Sequence, residues 1–371
     1  MNQPSPTPQP AAERLYPAET LRDLTVRLCR AMGSEEGEAA LVGRHLINGN
    51  LAGHDSHGIG LMPIYVDEVL EKKIFVNRHV RVVADRGAVL QLDGQAGFGQ
   101  VIGGEAMTLG IARAREFGVA VVALTNTHHL ARIGTWGEQC ADAGMISIHY
   151  VNVHGHPPLV APFGGRDACY STNPYCTAIP ATDRHPRLIL DMATSMVAMG
   201  KVRVANNRGV PMPEGCLIDP DGRATNDPGV MYREPRGALL PFGGQVAGHK
   251  GYGLALICEL LAGALTGGGT NQHDRTSLRI INNMLTIIID PAAVGDVDSF
   301  RRDLDEVTDT VKASRPSEAS DGVMVPGDPE RRMREKRLAE GIPIDANTWS
   351  ELMAAARRVG LNEVALAAPE G

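Results

Sequence analysis

The sequence is short of aromatics, which make up 4% of 371 residues, and its six cysteines include no C-x-x-C pair. A disulfide scaffold is not expected in so long a chain, and zinc-ribbon spacing is missing. Reduced thiols and a cytoplasmic setting are the simplest expectation. No run of about 18 apolar residues occurs, so no membrane-spanning helix is expected. The N-terminal "MNQPSPTPQPAAERLYPAE" lacks the apolar stretch of a signal peptide. No basic block stands out and the net charge is −7, which argues against nucleic acid as a partner. The run "PERRMREKRLAE" (Pro329 to Glu340) interleaves its arginines with acids and reads as a solvated helix face. There is no internal repeat and no HExxH pattern.

The chain is long for one core, so two or three lobes are expected. Residues 1–17 read as a disordered, Pro-rich tail. Residues 18–78 read as a helical segment, with two amphipathic helices over 18–50, the second capped by Ser34, and a short third helix after Pro63. From 79 to 297 the texture is mixed α/β. "VRVVADRGAVLQLDG" reads as two strands, and "VAVVALTN", "MISIHYVNV", "RLILDMATS", "GCLIDPDGRAT" and "NMLTIIIDP" as further ones. Helices are expected over "GQVIGGEAMTLGIARAREFG", "IGTWGEQCADAG" and "GYGLALICELLAGALTGGG". Residues 298–371 read as helical again, packing on the N-terminal segment.

"DGQAGFGQVIGG" sits where a dinucleotide-binding glycine fingerprint belongs, between strand and helix. Its spacing fails, because position 102 is isoleucine. A glycine turn before a helix is the better reading, and a Rossmann domain is not supported. Histidines cluster at strand ends and loops: His54 and His57, His128 and His129, His154 and His156, and His249 beside Lys250. Such loops are where rigid scaffolds present chemistry. No cluster adds cysteine or carboxylate at familiar metal-ligand spacing. Glycine- and proline-rich loops recur: "HPPLVAPFGGRD", "STNPYC", "DMATS", "GHKGYG" and "VPGD". Their backbone N–H groups suit phosphate or amide binding. Asp191 is equally readable as a helix cap.

Together "DSHGIGLMPIY", "NTHHLARIG", "VAPFGGRD", "STNPYC", "DMATS", "AGHKGYGLAL" and "VPGD" resemble the malate/L-lactate dehydrogenase family, closest to its bacterial hydroxycarboxylate dehydrogenase branch. The resemblance runs from about Leu21 to about Gly360. It implies an α/β, non-Rossmann fold whose mainly antiparallel sheet binds NAD or NADP, with helices from both termini packed together. It implies interconversion of 2-oxo and 2-hydroxy acids in a homodimer. His57 of the "SHG" motif corresponds to the proton donor to the carbonyl oxygen, oriented with the substrate by Ser56. His129 is the alternative base. Matching cofactor positions are Asp191, Met192, Ala193, Thr194 and Ser195, then His249 and Lys250, then Val325, Pro326, Gly327 and Asp328, with Asn282 as a weaker candidate. No metal is implied.

One departure concerns the substrate. Many relatives carry "SHG-x-x-R", whose arginine holds the substrate carboxylate, and here that position is Leu61. A desolvated carboxylate still needs a cation. Arg132 is the candidate, for the substrate or for a cofactor phosphate. Leu61 and Met62 would make the pocket apolar and admit a larger or aromatic 2-oxo acid. Two rival classes are a metal-dependent hydrolase or lyase built on the histidine clusters, and a nucleotide or acid binder without turnover.

Overall fold

The helical pattern of the first 75 residues becomes, in the computed structural model, strand β1 (Glu13–Tyr16) and helices α1 (Ala18–Ala31), α2 (Glu36–Leu51) and α3 (Met62–Leu70). The structure describes residues 13–271, 279–318 and 320–361. The middle of the chain supplies β2 (Arg81–Arg86), β3 (Val89–Asp93), α4 (Gly99–Phe117), β4 (Val119–Thr127), α5 (Gly134–Asp142), β5 (Ile146–His154), β6 (Tyr175–Ile179), β7 (Leu188–Met192) and α6 (Met199–Arg208). Short strands β8 (Leu217–Ile218), β9 (Ala224–Thr225) and β10 (Ala238–Leu239) precede α7 (Gly244–Cys258). A π-helical segment, Glu259–Leu265, extends α7. Then come β11 (Ile281–Ile289), α8 (Pro291–Val294), α9 (Val297–Lys312), α10 (Asp328–Glu340), β12 (Ile342–Asp345) and α11 (Ala346–Arg358).

The main sheet has seven strands in the order β2-β3-β4-β11-β5-β6-β7. Only β3 and β4 run parallel, joined through α4; every other neighbouring pair is antiparallel. A Rossmann sheet is therefore excluded. The β-branched run "NMLTIIID" lies in β11, at the centre of the sheet, where near-continuous burial suits it. Helices α4 and α5 cover one face. Ile102, Met107 and Trp136 share a core there with Val122, Met284 and Ile288. The near-miss glycine stretch is the turn into α4. A Cβ on Gly99 would lie 2.2 Å from the His129 carbonyl oxygen, so glycine lets the helix start against that loop.

The two ends of the chain meet in a second core. Leu21, Leu28, Leu46, Ile47 and Tyr65 pack with Ile342 and Leu352. The tail expected over 1–17 is partly ordered: Glu13–Tyr16 pair antiparallel with β12, and Tyr16 stacks on Trp349 at 4.4 Å. Its partner lies at the far end of the chain, so local composition gave no hint of order. Ser34 does not cap α2. Its hydroxyl donates instead to Glu38 at 2.6 Å. "GHKGYG" is not a loop, because α7 begins at Gly244 and carries His249 and Lys250.

Trp136 is fully buried and its indole N–H donates to Leu130 O at 3.2 Å, beside the histidine loop. Trp136→Ala is expected to lower stability by about 3–5 kcal/mol in urea unfolding. A loss under about 1 kcal/mol would show that this core does not depend on the indole.

Candidate active site

The "DSHGIG" turn links α2 to α3 as two 3₁₀ turns. It is held from three sides. The buried Asn50 of α2 accepts the Ile59 N–H at 2.8 Å and donates to Asp55 at 2.7 Å. Arg337 of α10 binds both Asp55 oxygens, at 2.7 and 2.8 Å, and also Asn50 O. His54 lies 3.2 Å from Glu330 of the same helix. The supposed solvated face of α10 thus turns Glu330 and Arg337 inward, and Arg337 is only 9% exposed. Helix α6 closes the third side. A Cβ on Gly200 would lie 2.5 Å from Ser56 Cβ, so glycine permits that approach.

Ser56 Oγ lies 3.0 Å from His57 Nδ1. The His57 ring stacks on His129, with centroids 5.5 Å apart and planes 17° apart. His129 arrives from the sheet, just past β4. Tyr65 Oη lies 3.0 Å from His129 Nδ1, and Gln100 Nε2 donates to Tyr65 Oη at 3.0 Å. The phenol accepts from the amide, and Nδ1 is the acceptor within reach of its own proton. A neutral His129 then carries its proton on Nε2. Behind it, buried His128 bonds to Glu68. Sequence reasoning missed Tyr65, Glu68 and Gln100. The available signal was two polar residues three apart on a helix, Tyr65 and Glu68, both on the buried side of α3.

Burial pushes the His57 pKa down to about 4, with His54 and Arg132 adding to the effect. Burial likewise holds His129 well below the usual range, with His57, His128 and His156 adding to it. Both rings are therefore neutral at pH 7. In the unfolded chain they titrate near 6.5, so their neutral folded forms contribute stability that is complete above pH 6.5. It is lost as the pH falls from there toward about 4 for His57.

Arg132 is 3% exposed and sits between two carboxylates, Glu138 at 3.0 Å and Asp191 at 3.5 Å. Burial lowers its pKa, but Glu138 and Asp191 outweigh that and the net shift is upward. Its Nη2 is buried without a hydrogen-bond partner in the protein. Asp191 ends β7 rather than capping a helix that follows it. It caps α5 instead, accepting the Gly134 N–H at 2.8 Å. Burial raises the Asp191 pKa, with Arg132 the main opposing influence.

Strand β7, which runs into "DMATS", lies beside "VPGD": Ile189 N donates to Pro326 O at 3.2 Å. Phe242 N donates to Thr194 O, which ties the first segment to the start of α7 and so to His249 and Lys250. Thr194 and Ser195 spend their hydroxyls inside the protein, on Asn173 O at 2.9 Å and Val197 O at 2.8 Å. Asp328 holds Val325 N at 3.0 Å and Lys312 at 3.1 Å. Met192 and Ala193 are partly exposed, as is the run from Met196 to Gly200 that leads to Ser56. Asn282 stands apart, buried in β11 with its amide bonded to backbone. Leu61 and Met62 belong to the terminal-helix core, so neither lines a pocket as the sequence suggested. Among the described residues no group of three or more His, Cys, Asp or Glu side chains is arranged to hold a metal ion.

A mainly antiparallel sheet, with a neutral histidine pair where it meets the terminal helices, defines a non-Rossmann α/β class. Residues 16–353 match the malate/L-lactate dehydrogenase family, and the chain belongs to it; its members use NAD(P). The chain is 47% identical over 356 residues to hydroxycarboxylate dehydrogenase B of Escherichia coli K12, covering 95% of this chain and 96% of that protein. It is 37% identical to an L-lactate dehydrogenase of Cupriavidus necator, covering 84% and 88%. The solved sulfolactate dehydrogenase of Methanocaldococcus jannaschii superposes with a TM-score of 0.82 at 33% identity, covering 94% and 98%.

Histidine ring NMR is expected to show both His57 and His129 neutral at pH 7, with His57 protonating only near pH 4. A His57 midpoint near 6.5 would contradict the burial described.

Proposed function

We propose that this protein interconverts 2-oxo acids and 2-hydroxy acids, with His57 moving the proton. The observation that carries this reading is the stacked, neutral pair His57 and His129, each backed by a hydroxyl. When bound, NAD(P) supplies or accepts the hydride at the substrate carbon. The partly exposed surface of Met192, Ala193 and Met196 to Gly200 would hold its nicotinamide beside Ser56. His249, Lys250 and the backbone of Val325 to Asp328, rather than the engaged side chains of Thr194, Ser195 and Asp328, would hold the remainder.

In the oxidation direction, neutral His57 accepts the hydroxyl proton as a general base. In the reduction direction it must first be protonated. A substrate carboxylate alongside favours that charged form. His129 presents Nε2–H to the substrate oxygen and stabilises the charge that develops there. Arg132, through its unpartnered Nη2, anchors the carboxylate. The rival metal-dependent hydrolase is not favoured.

The larger-substrate reading no longer rests on Leu61. It rests on Met196 and Met199, which are partly exposed and adaptable in shape where the surface proposed for the nicotinamide borders Ser56. In a panel of phenylpyruvate, hydroxypyruvate and oxaloacetate, phenylpyruvate is expected to exceed oxaloacetate in kcat/KM, followed at the NAD(P)H absorbance band. A strong oxaloacetate preference would sink this reading, and an Arg132→Ala effect confined to cofactor KM would reassign Arg132.

His57→Gln is expected to lose about 10²–10⁴ in kcat and to abolish the pH dependence of kcat/KM. His129→Gln is expected to lose about 10²–10³ and to keep it. The reverse pattern would exchange the two roles.

We further propose a cytoplasmic homodimer. Its six cysteines are unpaired, and among the described residues no helix is long and apolar enough to cross a membrane. The α7 helix and its π-helical extension leave Leu256, Ile257, Leu260 and Leu265 exposed. A patch of this kind marks an interaction surface. Light scattering is expected to show a dimer that Leu260→Arg converts to monomer; a monomeric parent protein would refute it.

A further inference from the structure

The turn bearing His128 and His129 leaves β4 through two left-handed residues, Asn126 at φ 52° and Ala131 at φ 57°. Neither is glycine. Asparagine adopts this conformation more readily than other side chains, but for alanine it is disfavoured and persists only where the surroundings over-determine it. Two buried asparagines of β11 supply that restraint. Asn283 Oδ1 accepts the Asn126 N–H at 3.0 Å, and Asn282 Oδ1 accepts the Leu130 N–H at 2.8 Å. The histidine pair is gripped immediately before and immediately after.

The amide nitrogens of the same side chains point away from the turn. Asn282 Nδ2 donates to Asn152 O at 3.2 Å and Ile281 O at 3.4 Å. Asn283 Nδ2 donates to Asn152 Oδ1 at 3.0 Å and Gly269 O at 3.3 Å. Asn152 in turn donates to Gly269 O at 3.0 Å. The register of β11 against β4 shifts between Asn282 and Met284. Consecutive strand side chains normally face opposite ways, and a bulge re-aims them. Both asparagines are at most 2% exposed, which leaves neither a free edge for a cofactor.

We propose that Asn282 and Asn283 are positioning residues for His129, acting through the backbone of its turn. This rests on the reading of His129 as a substrate-facing group. The ring faces Tyr65, His57, His128 and His156, and its setting against Tyr65 and His57 follows from the backbone that carries it. Misplacement by about 1 Å is expected to cost on the order of 10²-fold in rate.

The test uses Asn282→Leu and Asn283→Leu, which remove the acceptor at similar volume, and Asn282→Asp, which keeps an acceptor for Leu130 N–H. We expect the leucine variants to lose about 10²-fold in kcat with cofactor KM unchanged. Asn282→Asp restores kcat. Histidine ring ¹⁵N NMR, independent of turnover, is expected to lose the Tyr65-bonded Nδ1 signal of His129 in the leucine variants and keep it in Asn282→Asp. A merely structural role would lower stability without moving that signal. Folded leucine variants with normal kcat and ring signal overturn the proposal. So does a change confined to cofactor KM. If the leucine variants do not fold, Asn282→Ala and Asn283→Ala, which remove the acceptor and leave room for water, decide: a lost ring signal in the folded variant supports the proposal and an unchanged one overturns it. If the parent protein reduces no 2-oxo acid, the proposed activity fails and the NMR arm alone judges the asparagines.

Discussion

Arg337 holds Asp55 with both terminal nitrogens from a buried position on α10, and the candidate site depends on that grip. His57 rides on a turn of the N-terminal helices. His129 rides on a loop of the central sheet. Nothing local to either segment brings the rings to 5.5 Å. The C-terminal helices do so, by packing into the same core as α1 to α3 and by locking the turn through Asp55, Asn50 and Glu330. A guanidinium suits this task because its fork matches a carboxylate in two bonds and stays charged when partly desolvated. Removing Asp55 would leave the Arg337 guanidinium poorly solvated and the turn untethered.

A second layer of charge lies under the site. Arg132 is flanked by Glu138 and Asp191, and Asp191 also caps α5. One buried cation therefore links the end of β7, the start of α5 and the loop after His129. Two carboxylates outweigh its single charge, and its effect on His57 ranks below those of burial and His54.

The sheet and the terminal helices were legible because periodicity survives in short windows. "VRVVADRGAVLQLDG" became the β2–β3 hairpin, and the broken glycine spacing correctly argued against a Rossmann sheet. Ordered loops, taken together, carried the family. What stayed hidden was long-range pairing. Strand β1 looks like tail because its partner is β12. Arg337 looks solvated because Asp55 lies 282 residues away. Leu61 looked like a pocket residue because its neighbours in sequence are catalytic candidates, yet its side chain turns into the core. A one-dimensional motif reports which residues are near in the chain, and the direction of each side chain comes only from packing. Asn282 shows the same limit: its place in a motif suggested a ligand contact, while its bonds run entirely to backbone.

The electrostatics of the histidine pair constrain its chemistry. Two imidazoles stacked at 5.5 Å in a poorly solvated site cannot both hold a proton cheaply, and His57 adds to the burial that depresses His129. Tyr65 and Gln100 then distinguish them. They hold His129 Nδ1 as an acceptor and leave a neutral ring that donates from Nε2. His57 has only Ser56, whose hydroxyl can turn to donate or accept. Of the two rings, His57 is the one whose protonation state its surroundings leave adjustable. A proton shuttle needs that freedom, and a fixed hydrogen-bond donor to a developing alkoxide does not. In the reaction we propose, the asymmetry of the backing groups, more than the shared identity of the rings, would divide the labour between them.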